Sequence, residues 1–90
     1  MDEWVFHEDP GHGWLEVPKA HLRRVGVAGK ISGYSYQRGD KAYLEEDMDA
    51  GTFAKAWAEQ EGPIDWERVR RLRSEVDAPL RSFDHYWEDE

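Results

Sequence analysis

Two short runs near the start of the chain gather apolar residues between turn formers. Glu3-Trp4-Val5-Phe6 and Trp14-Leu15-Glu16-Val17 read as strands. The linker from His7 to Gly13 carries Pro10, Gly11 and Gly13, which favour a turn. Pro18 stands where a helix over Lys19 to Val25 would begin, a position at which its missing N–H costs nothing, and Gly26 suits the end of that helix. Val27 to Ser32 reads as a connector with room for one helical turn.

The clearest local pattern spans Gly33 to Glu46. Tyr34-Ser35-Tyr36 alternates aromatic and polar residues, and Lys41-Ala42-Tyr43-Leu44-Glu45 is the return strand. Gln37-Arg38-Gly39-Asp40 joins them, with Gly39 free to adopt the positive φ of a tight turn. Asp47 or Asp49 is then expected to cap a helix running to about Gln60, with Phe53 and Trp57 one turn apart and Ala50, Ala54 and Ala56 beside them. Gly62-Pro63 stops it. Asp65 is expected to cap a further helix from Trp66 to about Val76, whose stripe is Trp66, Val69, Leu72 and Val76. Beyond Pro79, the residues Leu80, Phe83, Tyr86 and Trp87 suggest a last helical turn or two. The expected architecture is a single α+β domain over residues 1–90. It has a small antiparallel sheet of about four short strands, including the 34–45 hairpin, packed against two to three helices. Trp14, Leu15, Val17, Leu22, Val25, Ile31, Tyr36, Leu44, Phe53, Trp57, Val69 and Leu72 are the expected core.

Composition narrows the classes. Of 90 residues 39% are hydrophobic, and five Trp, four Tyr and three Phe must supply much of a small core. With no cysteine there is no disulfide, thiolate metal site or thiol nucleophile. No apolar run approaches the ~20 residues of a membrane span, and the acidic start of the chain lacks the apolar stretch of a secretory signal. The sequence therefore points to the cytoplasm and to no membrane partner. Twenty acids against twelve bases give a formal charge of -8, which opposes direct contact with nucleic acid and suits a basic protein surface.

Twelve of the acids fall in three blocks: Asp2, Glu3, Glu8 and Asp9; Glu45, Glu46, Asp47 and Asp49; and Asp84, Glu88, Asp89 and Glu90. If the blocks converge they form an anionic surface that competes with nucleic acid for a basic groove. Otherwise they cap a helix and solubilise the termini. Trp4 and Trp87 stand close to acids and would serve as interface anchors. Arg68, Arg70, Arg71 and Arg73 form a basic run, better read as pairing with Glu67, Glu75 and Asp77 than as phosphate contacts. His7, His12, His21 and His85 show no metal-ligand spacing, and no serine sits in a nucleophile elbow. Arg38-Gly39-Asp40 is explained by its hairpin turn rather than by adhesion. No catalytic residue, metal or cofactor is expected.

Three segments carry a resemblance: Gly13-Trp14-Leu15-Glu16-Val17-Pro18, Ile31-Ser32-Gly33-Tyr34-Ser35-Tyr36, and Ala42-Tyr43-Leu44-Glu45-Glu46-Asp47 with Asp49-Ala50. Over roughly residues 12–60 the chain resembles a small domain of unknown function found in proteins of phages, plasmids and other mobile elements. The resemblance implies no established reaction. The chain departs from that pattern at Met48, where the domain usually has Cys, so no thiol role carries over. In size and charge the chain is also similar to small phage anti-defence proteins, including anti-CRISPR inhibitors. That similarity implies a DNA-mimicking inhibitor whose acidic surface binds a host nucleic-acid-handling complex and blocks DNA binding or nuclease action. The alternative is a non-catalytic accessory module of mobile-element DNA metabolism that acts through a protein partner.

Overall fold

Backbone pairing is organised around β2 (Gly13–Pro18) in the computed structural model, which describes residues 4–88. β1 (Val5–Glu8) lies antiparallel to it, with Val5 opposite Glu16 and Glu8 opposite Gly13. The expected hairpin forms from β3 (Tyr36–Arg38) and β4 (Lys41–Glu45), with Gly39 at φ 59° in its turn. β4 then pairs with the other side of β2, placing Trp14 opposite Glu45. Two further strands complete the sheet. β5 (Arg70–Arg73) runs parallel to β1, and β6 (Asp84–His85) runs antiparallel to β3. The order is β5-β1-β2-β4-β3-β6, so the sheet is six-stranded and mixed where about four antiparallel strands were expected.

The difference lies after residue 65. Asp65 does accept a hydrogen bond from the Glu67 N–H, but it opens only a 3-10 turn over Trp66–Arg68 before the chain extends into β5. The helical spacing of Trp66, Val69, Leu72 and Val76 is real, yet of the four only Val69 is buried. A helix here would need an apolar surface for the whole stripe. β1 instead offers an open edge whose N–H and C=O groups need partners, and the segment extends to satisfy them. The expected C-terminal helical turns reduce to a 3-10 turn over Pro79–Ser82 that leads into β6.

Two helices cover one face of the sheet. α1 (Lys19–Arg24) follows directly on Pro18, and Gly26 turns the chain away at φ 78°. α2 (Asp49–Glu61) ends at Gly62. Its first N–H groups are capped by neither Asp47 nor Asp49. The Glu45 carboxylate accepts from the N–H groups of Asp47, Met48 and Asp49 at 3.1, 2.7 and 3.1 Å. Between helices and sheet lie Leu15, Val17, Leu22, Leu44, Phe53 and Trp57.

Trp4, expected as an exposed anchor, is at the centre of this core with 1% of its surface accessible. Alternation along β1 puts Trp4 on the same side as Phe6, under the helices. Its ring meets Phe53 and Trp57 edge-on at 5.2 and 5.1 Å, and its Nε1 donates to His21 Nδ1 at 3.0 Å. Two members of the expected core sit elsewhere. Tyr36 is half-buried, and Leu72 is 42% exposed on the edge strand.

The opposite face carries a second, smaller cluster. Trp14 and Tyr43 are covered by Ala78 and Leu80, with Tyr36 and Phe83 beside them. The segment after β5 thus crosses the sheet as a strap and returns to the far edge. There Tyr86 donates its N–H to the Ser35 carbonyl and its hydroxyl to the Ala28 carbonyl, at 2.8 and 2.7 Å. Burial pushes the Tyr86 phenol up to about 12. Among the described residues no helix is long and apolar enough to cross a membrane.

Two outcomes check this packing. Trp4→Ala is expected to cost ~3–5 kcal/mol in urea unfolding, whereas Leu72→Ala costs less than about 1 kcal/mol. The stabilisation from neutral Tyr86 is complete below the ordinary phenol value of 10.0 and is lost as the pH rises through about 12. Tyr86→Phe should therefore lower the melting temperature at neutral pH and remove that part of the alkaline decline.

Candidate functional site

At one end of the sheet, β1 finishes, β2 starts and β4 runs into α2. Two buried carboxylates fix the loops there. Asp9 Oδ1 accepts from the N–H groups of Gly11 and His12, both at 3.0 Å, which shapes the β1–β2 turn. Its Oδ2 accepts from the Ala78 N–H at 2.8 Å and from Arg81 Nε at 2.7 Å, while Arg81 Nη2 reaches Oδ1 at 3.0 Å. The Asp9 side chain is fully enclosed, and the Arg81 guanidinium lies 5.0 Å from the Trp14 ring. That guanidinium, aided by the backbone donors and opposed by burial, holds the Asp9 carboxyl far below the usual carboxylate range.

Asp49 plays the matching part at the start of α2. Its Oδ2 accepts from Ser32 N–H, Ser32 Oγ and Ser35 Oγ at 3.0, 2.7 and 2.6 Å. Ser35 Oγ in turn accepts from the Glu45 N–H at 3.0 Å. The Ser32–Ser35 loop is thereby tied to the end of β4 and the start of α2. Gly13 completes the junction. A Cβ there would stand 2.5 Å from Phe6 Cζ and 2.8 Å from Glu46 Oε1, so only glycine fits without displacing them.

These ties frame an open cleft of about 470 Å³. Trp14 and Tyr36 border it, their rings 6.1 Å apart, and His12, Arg81, Ser32, Glu45 and Asp47 also line it. Tyr34 and Met48 stand at its mouth, 81% and 66% exposed. Glu46, also exposed, donates its N–H to the Gly13 carbonyl at 3.0 Å and turns its carboxylate over Gly13 toward Phe6, on the helix side of the sheet, so it is not part of the cleft lining.

The twelve acids divide sharply. Asp2, Glu3, Asp89 and Glu90 lie outside the described residues. Asp9 and Asp49 are buried and turned inward onto their own chain, so they present no carboxylate to a partner. Glu45 caps α2, Glu8 faces Arg73 at 3.9 Å, and Glu88 accepts from Arg23 Nε at 3.4 Å. Asp84 is exposed on β6. The first two blocks meet, since Glu8 stands opposite Gly13 and Glu46 bonds to it. Asp84 and Glu88 lie apart from them, along the β6 edge and against α1. Asp47 is what remains exposed in the cleft lining, with Glu46 exposed on the Gly13–Phe6 side of the sheet. Of the two expected tryptophan anchors, Trp4 is core and Trp87 is 61% exposed beside β6, away from the cleft.

Sequence reasoning missed Tyr34 and Met48 as the exposed apolar residues, and His12 and Arg81 as cleft walls. The alternation of Tyr34 with Tyr36 hinted at a shared surface, but the position of Arg81 depends on a contact 72 residues distant in the chain. The arginine run is also placed differently from expectation. Arg71 lies over the Phe6 ring at 5.2 Å, and Arg73 reaches back to Glu8 on β1 rather than to Glu67, Glu75 or Asp77. His7 hydrogen-bonds Glu16 through Nε2 at 2.7 Å, and this bond is the main cause of the lowered Glu16 carboxyl. Among the described residues no three potential ligands converge as a metal site. No family model, curated protein or solved structure matches the chain, so the resemblance of residues 12–60 rests on its own segments. All three of those segments border the cleft or its supports.

The Asp9 tie has a pH signature. Because the folded-state carboxyl is depressed from 3.8, its contribution is full above that value. It is lost progressively as the pH falls below that value toward the depressed folded-state one. Asp9→Asn should lower the melting temperature by several degrees at neutral pH. Its own stability should decline less steeply than that of the wild type between neutral and acid pH. An unchanged acid decline would show that other carboxylates dominate it.

Proposed function

We propose that the protein is a non-catalytic binding protein, an anti-defence inhibitor of phage or mobile-element origin. In this reading it works in the host cytoplasm by seating a basic surface of a host nucleic-acid-handling complex on the aromatic cleft. The observation that carries the reading is the juxtaposition of exposed Tyr34 and Met48 with exposed Asp47 in the lining of that cleft. Aromatic and thioether side chains supply apolar contact area, and tyrosine is enriched at the centres of interfaces. The adjacent carboxylates favour a Lys/Arg-bearing partner and speed its arrival. The loops that carry these residues are already fixed by Asp49 and Glu45, so little ordering is left to oppose binding.

The anionic surface in this proposal is narrower than twelve acids. It consists of Asp47 at the rim, with Glu45 held to its helix and Glu46 next along the chain on the Gly13 side. A DNA-like array over all three blocks has less support, since Asp9 and Asp49 face inward and Asp84 lies elsewhere.

Capture from host lysate with immobilised protein, followed by a DNA-binding assay of the captured complex, provides the test. The wild type should reduce DNA binding by that complex. Glu46→Lys with Asp47→Lys should weaken capture at least ~10-fold and flatten its salt dependence. Tyr34→Ala should weaken it at unchanged salt dependence. A complex that binds both variants as tightly as wild type, or that still binds DNA when saturated with the protein, would overturn the proposal.

A further inference from the structure

We propose that the outer edge of β5 is a docking site for an extended, acidic segment of a partner polypeptide, which joins the sheet as an added strand. This surface is separate from the cleft, beyond β1 on the other edge of the sheet, and the inference does not depend on the inhibitor reading.

Backbone direction comes first. Arg70 donates its N–H to the Trp4 carbonyl at 3.2 Å, and Ser74 donates to the Glu8 carbonyl at 2.8 Å. In a parallel ladder alternate residues of a strand turn their N–H and C=O groups to the same neighbour. Arg70, Leu72 and Ser74 therefore face β1, and the N–H and C=O groups of Arg71 and Arg73 face outward. All four residues of β5 are exposed along this edge. The edge thus carries two outward donor–acceptor pairs in the geometry that an incoming strand requires.

Side chains then set which strand fits. In register with β1, Arg71 and Arg73 share the face of Phe6 and Glu8, while Leu72 shares the opposite face with His7. An added strand lies ~4.8 Å away, and its side chains fall beside those of β5 on each face. Residues flanking Arg71 and Arg73 would meet guanidinium groups on one side of the sheet. The residue between them would meet Leu72 on the other. The matching sequence alternates acidic, apolar and acidic positions. Exposed Trp66 and Val76 lie just beyond either end of β5 and extend the apolar contact.

Charge decides among occupants. Arginines on an edge strand repel the same strand of a second copy, which is a common guard against edge-to-edge association. They do not repel an acidic strand. Nucleic acid would also find arginines here, but its phosphates can only accept from the outward N–H groups and bring no donors for the outward carbonyls of Arg71 and Arg73, and it would meet a chain of net charge -8.

A blocked peptide of alternating Glu and Val is the probe, with three controls: the same peptide with Lys for Glu, the Glu/Val peptide N-methylated on its edge-facing amides, and a single-stranded oligonucleotide. Binding is read by fluorescence anisotropy, and the site by amide hydrogen exchange. The Glu/Val peptide should bind, and should slow exchange at the Arg71 and Arg73 amides far more than at those of Arg70 and Leu72. N-methylation should abolish binding to the unaltered protein. The Lys peptide should bind at least tenfold more weakly, as should the Glu/Val peptide to the Arg71→Glu, Arg73→Glu double variant. Three results would overturn the proposal. They are no binding of the Glu/Val peptide, which would leave the arginines as an edge guard only; binding indifferent to N-methylation; or the oligonucleotide binding more tightly than the peptide.

Discussion

A carboxylate taken out of water must be met by donors, and this requirement decides the architecture of the chain. Burying an unmatched charge would cost far more than the whole stability of a 90-residue domain. Asp9 meets the requirement with two backbone donors from its own turn, the N–H of Ala78 and both Nε and Nη2 of Arg81. Satisfying it therefore fixes the β1–β2 turn and draws the strap across Trp14 in one step. Asp49 meets it with Ser32 and Ser35 and so fixes the loop ahead of β3. A chain without cysteine uses these two carboxylates where a small domain often uses disulfides: to join segments distant in sequence.

The sequence was legible where local periodicity and turn chemistry agree with tertiary packing. Gly39 and the flanking Tyr36 and Tyr43 predict the hairpin, and Phe53 with Trp57 predicts the buried face of α2. Legibility failed where a remote partner decided the outcome. Residues 70–73 have no strong preference, and Trp66, Val69 and Leu72 satisfy a helical template. The open edge of β1 overrides that template. The acids failed to sort for the same reason. Nothing near Asp9 or Asp49 in sequence separates them from Glu46 or Asp47, because the donors of Asp9 include residues near position 80 and those of Asp49 lie fourteen to seventeen residues earlier. Trp4 was misjudged through its closeness to the terminus, although its alternation with Phe6 already placed it on the helix side.

The positive charge is distributed as deliberately as the negative. Arg81, Arg71 and Arg38 lie over Trp14, Phe6 and Phe83 at 5.0, 5.2 and 4.9 Å. A guanidinium can cover an aromatic ring and keep its donors directed at a carboxylate or at water. Arginine therefore finishes the core at places where the aromatics come to the surface. Lysine would leave those rings more exposed and would lose the two-donor grip of Arg81 on Asp9.

Once the buried carboxylates are assigned to the fold, the exposed charged groups that remain are unevenly placed. One end of the sheet keeps Asp47 beside Tyr34 and Met48, on loops tied down from beneath. The β5 edge keeps Arg71 and Arg73 with their amides turned outward. The net charge of -8 describes neither surface, because the two are opposite in sign and lie on different parts of the sheet. A partner that reads the first must bring cations and an apolar counterpart. A partner that reads the second must bring carboxylates on an extended backbone. Because the two surfaces share no residue and β1 lies between β5 and the strands that line the cleft, an occupant of one does not cover the other.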